Sequence, residues 1–195
     1  MVAGDTRARW CISSSWRLWL LCHKPLPFAS PTREISMPTP ITVRPVMRSD
    51  FTAWQPLWEG YNAFYGRAGA TALPDEIIHT TWSRFFDAEE PVHALVADVG
   101  GKVLGIAHYL FHRSTIQIEP VCYLQDLFTA QAARGQGVAR ALIDDVYRCA
   151  AEAGCTRVYW HTHESNATAM RLYDQVADKS GFVVYRKTLQ LKSSA

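Results

Sequence analysis

A run of small residues, Gln131-Ala132-Ala133-Arg134-Gly135-Gln136-Gly137, joins an apolar stretch to an amphipathic one and constrains the fold more than any other segment. Upstream, Val121–Thr129 (VCYLQDLFT) reads as a strand. Downstream, Val138, Ala141, Leu142, Val146, Cys149, Ala150 and Ala153 recur at helical spacing, and Gly154 follows as a stop. A strand that enters a helix through glycines lets the backbone approach a ligand. The first free N–H groups of the helix then point at one spot, and the helix dipole favours an anion there. Arg134 and Arg140 can add charge-assisted contacts. The design suits a pyrophosphate. A dinucleotide fingerprint needs Gly at 140, where this chain has Arg, and a P-loop needs Gly-Lys-Ser/Thr, which is absent. The bland alternative is an ordinary connection whose glycines serve only the turn.

The other segments fit around this one. Ile41–Pro45 alternates as a first strand, and Ser49 and Asp50 suit the N-cap of a helix carrying Trp54, Trp58, Tyr61 and Tyr65 in one stripe. Gly66 and Gly69 end that helix. Pro74 opens a second, with Ile77, Ile78, Trp82 and Phe85 or Phe86 inward. Strands at His93–Val99 and Lys102–His112 flank a Gly100-Gly101 turn. After the third helix the spacing predicts a buried strand over Arg157–His161 and a helix from Asn166 to about Val176, with Ala169, Leu172, Tyr173 and Val176 on one face. Phe182–Leu191 reads as a closing strand. The order predicts an α/β fold with a mixed, mostly antiparallel central sheet and helices on both faces.

With 195 residues, 48% of them hydrophobic and 19% charged, the chain can bury a core, which excludes wholesale disorder. No apolar run approaches the roughly 20 residues of a transmembrane helix, so no membrane partner is expected. A net charge of +2 supplies no global basic field for nucleic acid. Cysteines at 11, 22, 122, 149 and 155 form no C-x-x-C pair, which argues against a disulfide framework or a zinc site and fits a reducing cytoplasm. Residues 1–36 carry five basic against two acidic side chains and no sustained periodicity, with Pro25, Pro27 and Pro31 breaking the second half. They are expected to be a non-core extension, a misassigned start or an arm, with the domain over residues 37–195.

Arg134-x-x-Gly137-x-Ala139 resembles the acetyl-CoA pyrophosphate motif of the GNAT superfamily of N-acetyltransferases. Tyr123–Thr129 is similar to the family's fourth strand, and Asn166-x-x-Ala169-x-x-Leu172-Tyr173 to its second motif. The resemblance covers roughly residues 41–190. It implies the GNAT fold and direct transfer of acetyl from acetyl-CoA to a primary amine, on a small molecule or a protein. It places acetyl-CoA against Leu127, Phe128, Thr129, Arg134, Gly135, Gln136, Gly137, Val138, Ala139, Arg140 and Asn166, and makes Tyr173 the general acid. A homodimer is implied as well.

The base is less legible. Gln125 stands where polyamine-acetylating relatives often have Glu, and it cannot take a proton, so a water-mediated base is expected. Asp126 faces away from Gln125 by strand alternation and reads as structural. His108, His112 and Glu119 read as surface or packing residues. In this family the first two helices roof the acceptor site, so Tyr61 or Tyr65 could cradle an ammonium. Glu59, Asp75 and Glu76 read as a solvated face. His161 and His163 could begin a metal site, but no third ligand stands at a fitting spacing, and no metal is expected. The competing reading is a non-catalytic acyl-CoA sensor.

Overall fold

The computed structural model describes residues 40–189, so the expected extension over residues 1–36 lies outside the described part. Strand β1 (Ile41–Pro45) leads through a three-residue 3-10 turn into helix α1 (Phe51–Phe64), followed by α2 (Asp75–Arg84). Strands β2 (Val92–Val99), β3 (Lys102–His112) and β4 (Val121–Thr129) come next, then α3 (Val138–Glu152), the short β5 (Val158–Tyr159) and α4 (Ala167–Val176). The five strands lie in sequence order. The first four pair antiparallel; β5 joins β4 in parallel. This is the α/β architecture the sequence predicts.

Period-two alternation splits the apolar side chains between two cores. Leu95, Ala97, Ala107 and Leu124 meet Leu142, Ile143 and Val146 of α3 on one face. Val96 and Ile106 meet Trp54, Leu57 and Trp58 of α1 and Ile78 of α2 on the other. Two close approaches depend on glycine. A Cβ on Gly105 of β3 would come within 2.6 Å of Val138 Cγ1, and one on Gly60 of α1 within 2.8 Å of Phe128 Cζ. Helix α3 therefore sits directly on β3, and α1 directly over the end of β4.

A bulge breaks the alternation. His108 faces Asp126 but Tyr109 faces Leu124, so Gln125 is an extra residue on β4. Unbroken alternation would put Asp126 on the α3 side with Leu124. The extra residue turns it to the α1 side, where it meets His108.

Several sequence expectations change. Asp50 does not cap α1. Its carboxylate turns back to accept from Met47 N–H at 2.7 Å and from the Arg44 guanidinium at 2.6 and 2.9 Å, so it clamps the end of β1 to the turn. Ile77 and Ala153 are exposed, while Ile143, outside the expected stripe, is fully buried. The strand expected at Arg157–His161 shrinks to two half-buried residues. Of the closing strand expected at Phe182–Leu191, residues 190–191 lie outside the described part, and residues 182–189 form no strand: β5 pairs only at Val158 and Tyr159, they have no strand partner among the described residues, and Phe182 and Tyr185 are about nine-tenths exposed. No described helix is long and apolar enough to cross a membrane.

The hydrogen bond from Arg44 holds the Asp50 carboxyl below its ordinary pKa, with Met47 N–H adding to the effect against the cost of burial. Asp50→Asn should therefore destabilise the domain by about 1–3 kcal/mol at pH 7 in urea unfolding. That contribution is complete above the unfolded carboxyl pKa of about 4 and is lost as the pH falls through the lower folded value. The two proteins should converge in stability as the pH drops below about 4.

Candidate active site

Strands β4 and β5 touch only at Cys122–Val158 and Tyr123–Tyr159. Beyond Tyr123 they part, leaving that edge of β4 without a strand partner, and a cavity of about 620 Å³ opens beside it. The cavity is lined by Leu124, Gln125, Leu127, Phe128 and Thr129 of β4, by the glycine turn, by Asn166 and Tyr173 from α4, and by Tyr61, Phe64 and Tyr65 from α1. The structure thus brings together Leu127, Phe128, Thr129, Arg134, Gly135, Gly137, Val138, Ala139, Arg140, Asn166 and Tyr173, which the sequence singles out. Gln136 is the exception. Its side chain turns back onto the carbonyl of Ala132 at 2.9 Å and is not part of the wall.

Gly137 occupies the N-cap of α3 with φ +89° and ψ −1°, the left-handed region. A Cβ there would meet only Ile41 Cδ1 at 3.9 Å, so the glycine is needed for its backbone angle rather than for room. No side chain caps α3, and the first intrahelical bond is Ala141 N–H to Gly137 O at 3.0 Å. The N–H groups of Val138, Ala139 and Arg140 therefore have no intrahelical acceptor, and all three residues line the cavity. Arg134 sits with its guanidinium 5.8 Å from the Phe128 ring centre, and Arg140 donates to Gln175 of α4. Neither forms an ion pair among the described residues, so both charges are available to an anion. Thr129 Oγ1 is buried without a hydrogen-bond partner in the same wall. These groups suit a phosphate-bearing chain, and acetyl-CoA has one.

On the opposite wall, Tyr173 packs edge-on against Trp160 with ring centres 5.3 Å apart. Burial, reinforced by Tyr65, pushes its phenol up to about 12, so it keeps its proton at neutral pH. Asn166 stands at the N-cap position of α4, but its side chain donates to Thr162 Oγ1 at 3.2 Å instead of capping the helix. His161 and His163 diverge, one to Tyr123 at 3.4 Å and the other to Ser165 at 2.7 Å.

The α1 side holds a group the sequence reading misses. Trp54 Nε1–H donates to His108 Nε2 at 2.8 Å, and His108 Nδ1 lies 2.9 Å from Asp126 Oδ2, all three residues being buried. Indole can only donate, so Nε2 carries no proton. The neutral tautomer with Nδ1–H follows, and Asp126 accepts. Of the two expected readings, surface or packing, His108 takes the second, and the signal was its position within the apolar run Gly105–Tyr109. Asp126 is structural as expected, but it also lies near enough to Tyr61 and Tyr65 to raise both phenols beyond what burial does. Those two rings stand 5.1 Å apart at the mouth of the cavity. Glu59, Asp75 and Glu76 are exposed.

Known proteins show the family and the fold. Residues 54–177 match the family described as Acetyltransferase (GNAT) family. The chain is 38% identical over 149 residues to the D-amino-acid N-acetyltransferase HPA3 of Saccharomyces cerevisiae, covering 75% of this chain and 90% of that one. It is 38% identical over 72 residues to the aminoglycoside N(6')-acetyltransferase type 1 of Serratia marcescens, covering 36% of this chain and 49% of that one. Its fold matches AAC(6')-Iy, solved with a bisubstrate analog, with a TM-score of 0.66 at 17% identity, covering 78% of this chain and all of that one.

Trp54 leaves a measurable trace. Nitrogen-15 NMR of the His108 ring at pH 7 should show Nδ1 protonated and Nε2 bare. Trp54→Phe strands a buried acceptor and should cost about 1–3 kcal/mol from that bond alone, read by urea unfolding.

Proposed function

We propose that this chain, which belongs to the acetyltransferase (GNAT) family and is an N-acetyltransferase, takes the acetyl group of acetyl-CoA to the primary amine of a small soluble molecule. The observation that carries this reading is the row of three unpaired N–H groups after Gly137, opening onto the same cavity as Tyr173. Acetyl-CoA lays its pyrophosphate on those N–H groups between Arg134 and Arg140, with the pantetheine chain along Leu127–Thr129 and Asn166. Two relatives, named for D-amino acids and for aminoglycosides, act on small amines, which favours such an acceptor over a protein and favours an enzyme over a sensor. Three free cysteines among the described residues suit the cytoplasm.

The chemistry then follows. An amine of pKa near 10.4 is mostly ammonium at pH 7, and reaching its nucleophilic form costs about 4.6 kcal/mol. With Gln125 unable to act as a base, water in the open cavity carries that proton away. The neutral nitrogen attacks the thioester carbon, and the developing oxyanion meets backbone N–H groups on the unpaired edge of β4 near Leu127 or Phe128. As the C–S bond breaks, Tyr173 faces the sulfur. A phenol held near 12 cannot simply hand its proton to a thiolate of ordinary pKa near 8.5. Full transfer would run uphill by about 3.5 units, or about 5 kcal/mol. Tyr173 instead stabilises the leaving sulfur by hydrogen bonding, and the proton shed by the new amide nitrogen completes the thiol.

Thiol release with acetyl-CoA and a panel of amines tests the assignment. Tyr173→Phe should lower kcat by at least about 100-fold while calorimetry still shows acetyl-CoA binding. Loss of binding with intact chemistry would contradict this division of labour. Because Tyr173 must be protonated and its pKa is raised to about 12, kcat should show no falling limb from this group up to pH 10. An unperturbed tyrosine would already be half ionised there.

A further inference from the structure

The acceptor amine must lose a proton before it attacks, and the cavity holds few groups that can receive one. Among the described residues its wall contains no carboxylate. The titratable side chains that line it are Tyr61, Tyr65, Arg134, Arg140, His161 and Tyr173. Arginine stays charged throughout. Burial raises all three phenols, with Asp126 adding to the effect at Tyr61 and Tyr65, so each keeps its proton. An imidazole is the side-chain type left in that wall that gains and loses a proton between pH 5 and 8.

The surroundings of His161 fit it for this task. It lies two residues beyond Tyr159, where β5 has ended and the strands have parted, and its neighbour Trp160 is the ring that packs against Tyr173 at 5.3 Å. The imidazole centre stands 5.3 Å from the Tyr123 ring of β4 and 5.8 Å from the Tyr159 ring. Tyr159 commits its hydroxyl elsewhere. His112 Nδ1 lies 2.9 Å from the Arg113 carbonyl, which can only accept, so the bare Nε2 accepts from the Tyr159 hydroxyl at 3.0 Å. The Tyr123 hydroxyl is left for His161, 3.4 Å from Nδ1. Burial and Asp126 raise that phenol as well, so Tyr123 remains a neutral hydroxyl whose oxygen can accept from Nδ1–H. His161 Nε2 has no hydrogen-bond partner among the described residues.

We propose that His161 is the catalytic base, its bare Nε2 taking the proton of the acceptor ammonium through one water in the cavity while Nδ1–H donates to Tyr123. The ammonium N–H bond breaks, the water receives that proton and passes one of its own to Nε2, and the imidazole becomes imidazolium. The neutral nitrogen attacks the thioester carbon, and the imidazolium returns its proton to solvent before the next turnover. Tyr123 is a positioning residue that fixes the tautomer and steadies the charged ring. A base on the β5 side thus supplies what Gln125 of β4 cannot. This rests on the acetyl-transfer reading above.

The fixed charges on the same wall, Arg134 and Arg140, do not titrate in this range. His163 and Glu164 follow His161 on its own loop and are exposed, so His163 is the control. The test follows thiol release from pH 5 to 10, using the full chain with acetyl-CoA and a D-amino acid, an aminoglycoside or 1,4-diaminobutane. With whichever acceptor turns over, His161→Gln should lower kcat at least about 100-fold. It should leave acetyl-CoA affinity and the thermal melt unchanged, and abolish an acid-side fall of wild-type kcat between pH 5 and 8. Added imidazole should restore part of the turnover of His161→Ala. Tyr123→Phe removes the acceptor of Nδ1–H, so the fall should move to lower pH. His163→Gln, whose native ring turns to Ser165, should match wild type. Full kcat in folded His161→Gln, or an acid-side fall that survives in it, would overturn His161 as the base and leave acetyl transfer standing. Turnover of no amine by wild type, with acetyl-CoA still bound in calorimetry, would overturn the acetyl-transfer reading beneath it.

Discussion

Strand β5 can hold β4 at only two positions, and the rest of the site depends on that brevity. Hydrogen bonding normally closes the space between neighbouring strands. Here β4 runs on from Leu124 to Thr129 paired with β3 alone, and its free edge becomes a wall instead of an interior. The same parting lets α3 and α4 approach from one side and α1 from the other, so that three elements distant in sequence share one opening. A longer parallel pairing would fill the cavity with backbone and bury the residues that line it.

The bulge at Gln125 plays a matching part within β4. One inserted residue moves Asp126 from the aliphatic face under α3 to the aromatic face under α1. In the first environment a carboxylate would have no partner. In the second it finds a histidine whose other nitrogen is already occupied. The strand thus offers small apolar side chains to one face of the sheet and a single fixed charge to the other.

Much of this was readable in the chain. The glycine turn is legible because positive φ and close anion approach demand particular residues at particular positions, as at Gly137. Tyr173 is legible because helical spacing and the Asn166 motif place it together with Leu172 on one face. The pairing of His108 was not, since a packing residue acquires that meaning only from partners far along the chain, Trp54 and Asp126. Asp126 does face away from Gln125 as alternation predicts, but which face of the sheet it joins is set by the bulge, which leaves no mark in composition. The segment at 182–189 shows the opposite failure: a strand-like pattern is only a capacity to pair, and these residues find no partner among the described ones.

Helix α1 also acts as a ruler. Trp54, which donates to His108, and Asn62, which accepts from Arg67, are eight residues apart, a little over two turns and about 12 Å along the axis. Inserting or deleting one residue between them would rotate one brace by about 100° away from the other and shift it by about 1.5 Å. A one-residue change in the length of α1 would therefore disturb two buried contacts at once, Trp54 on His108 and Asn62 on Arg67, without touching either pair directly.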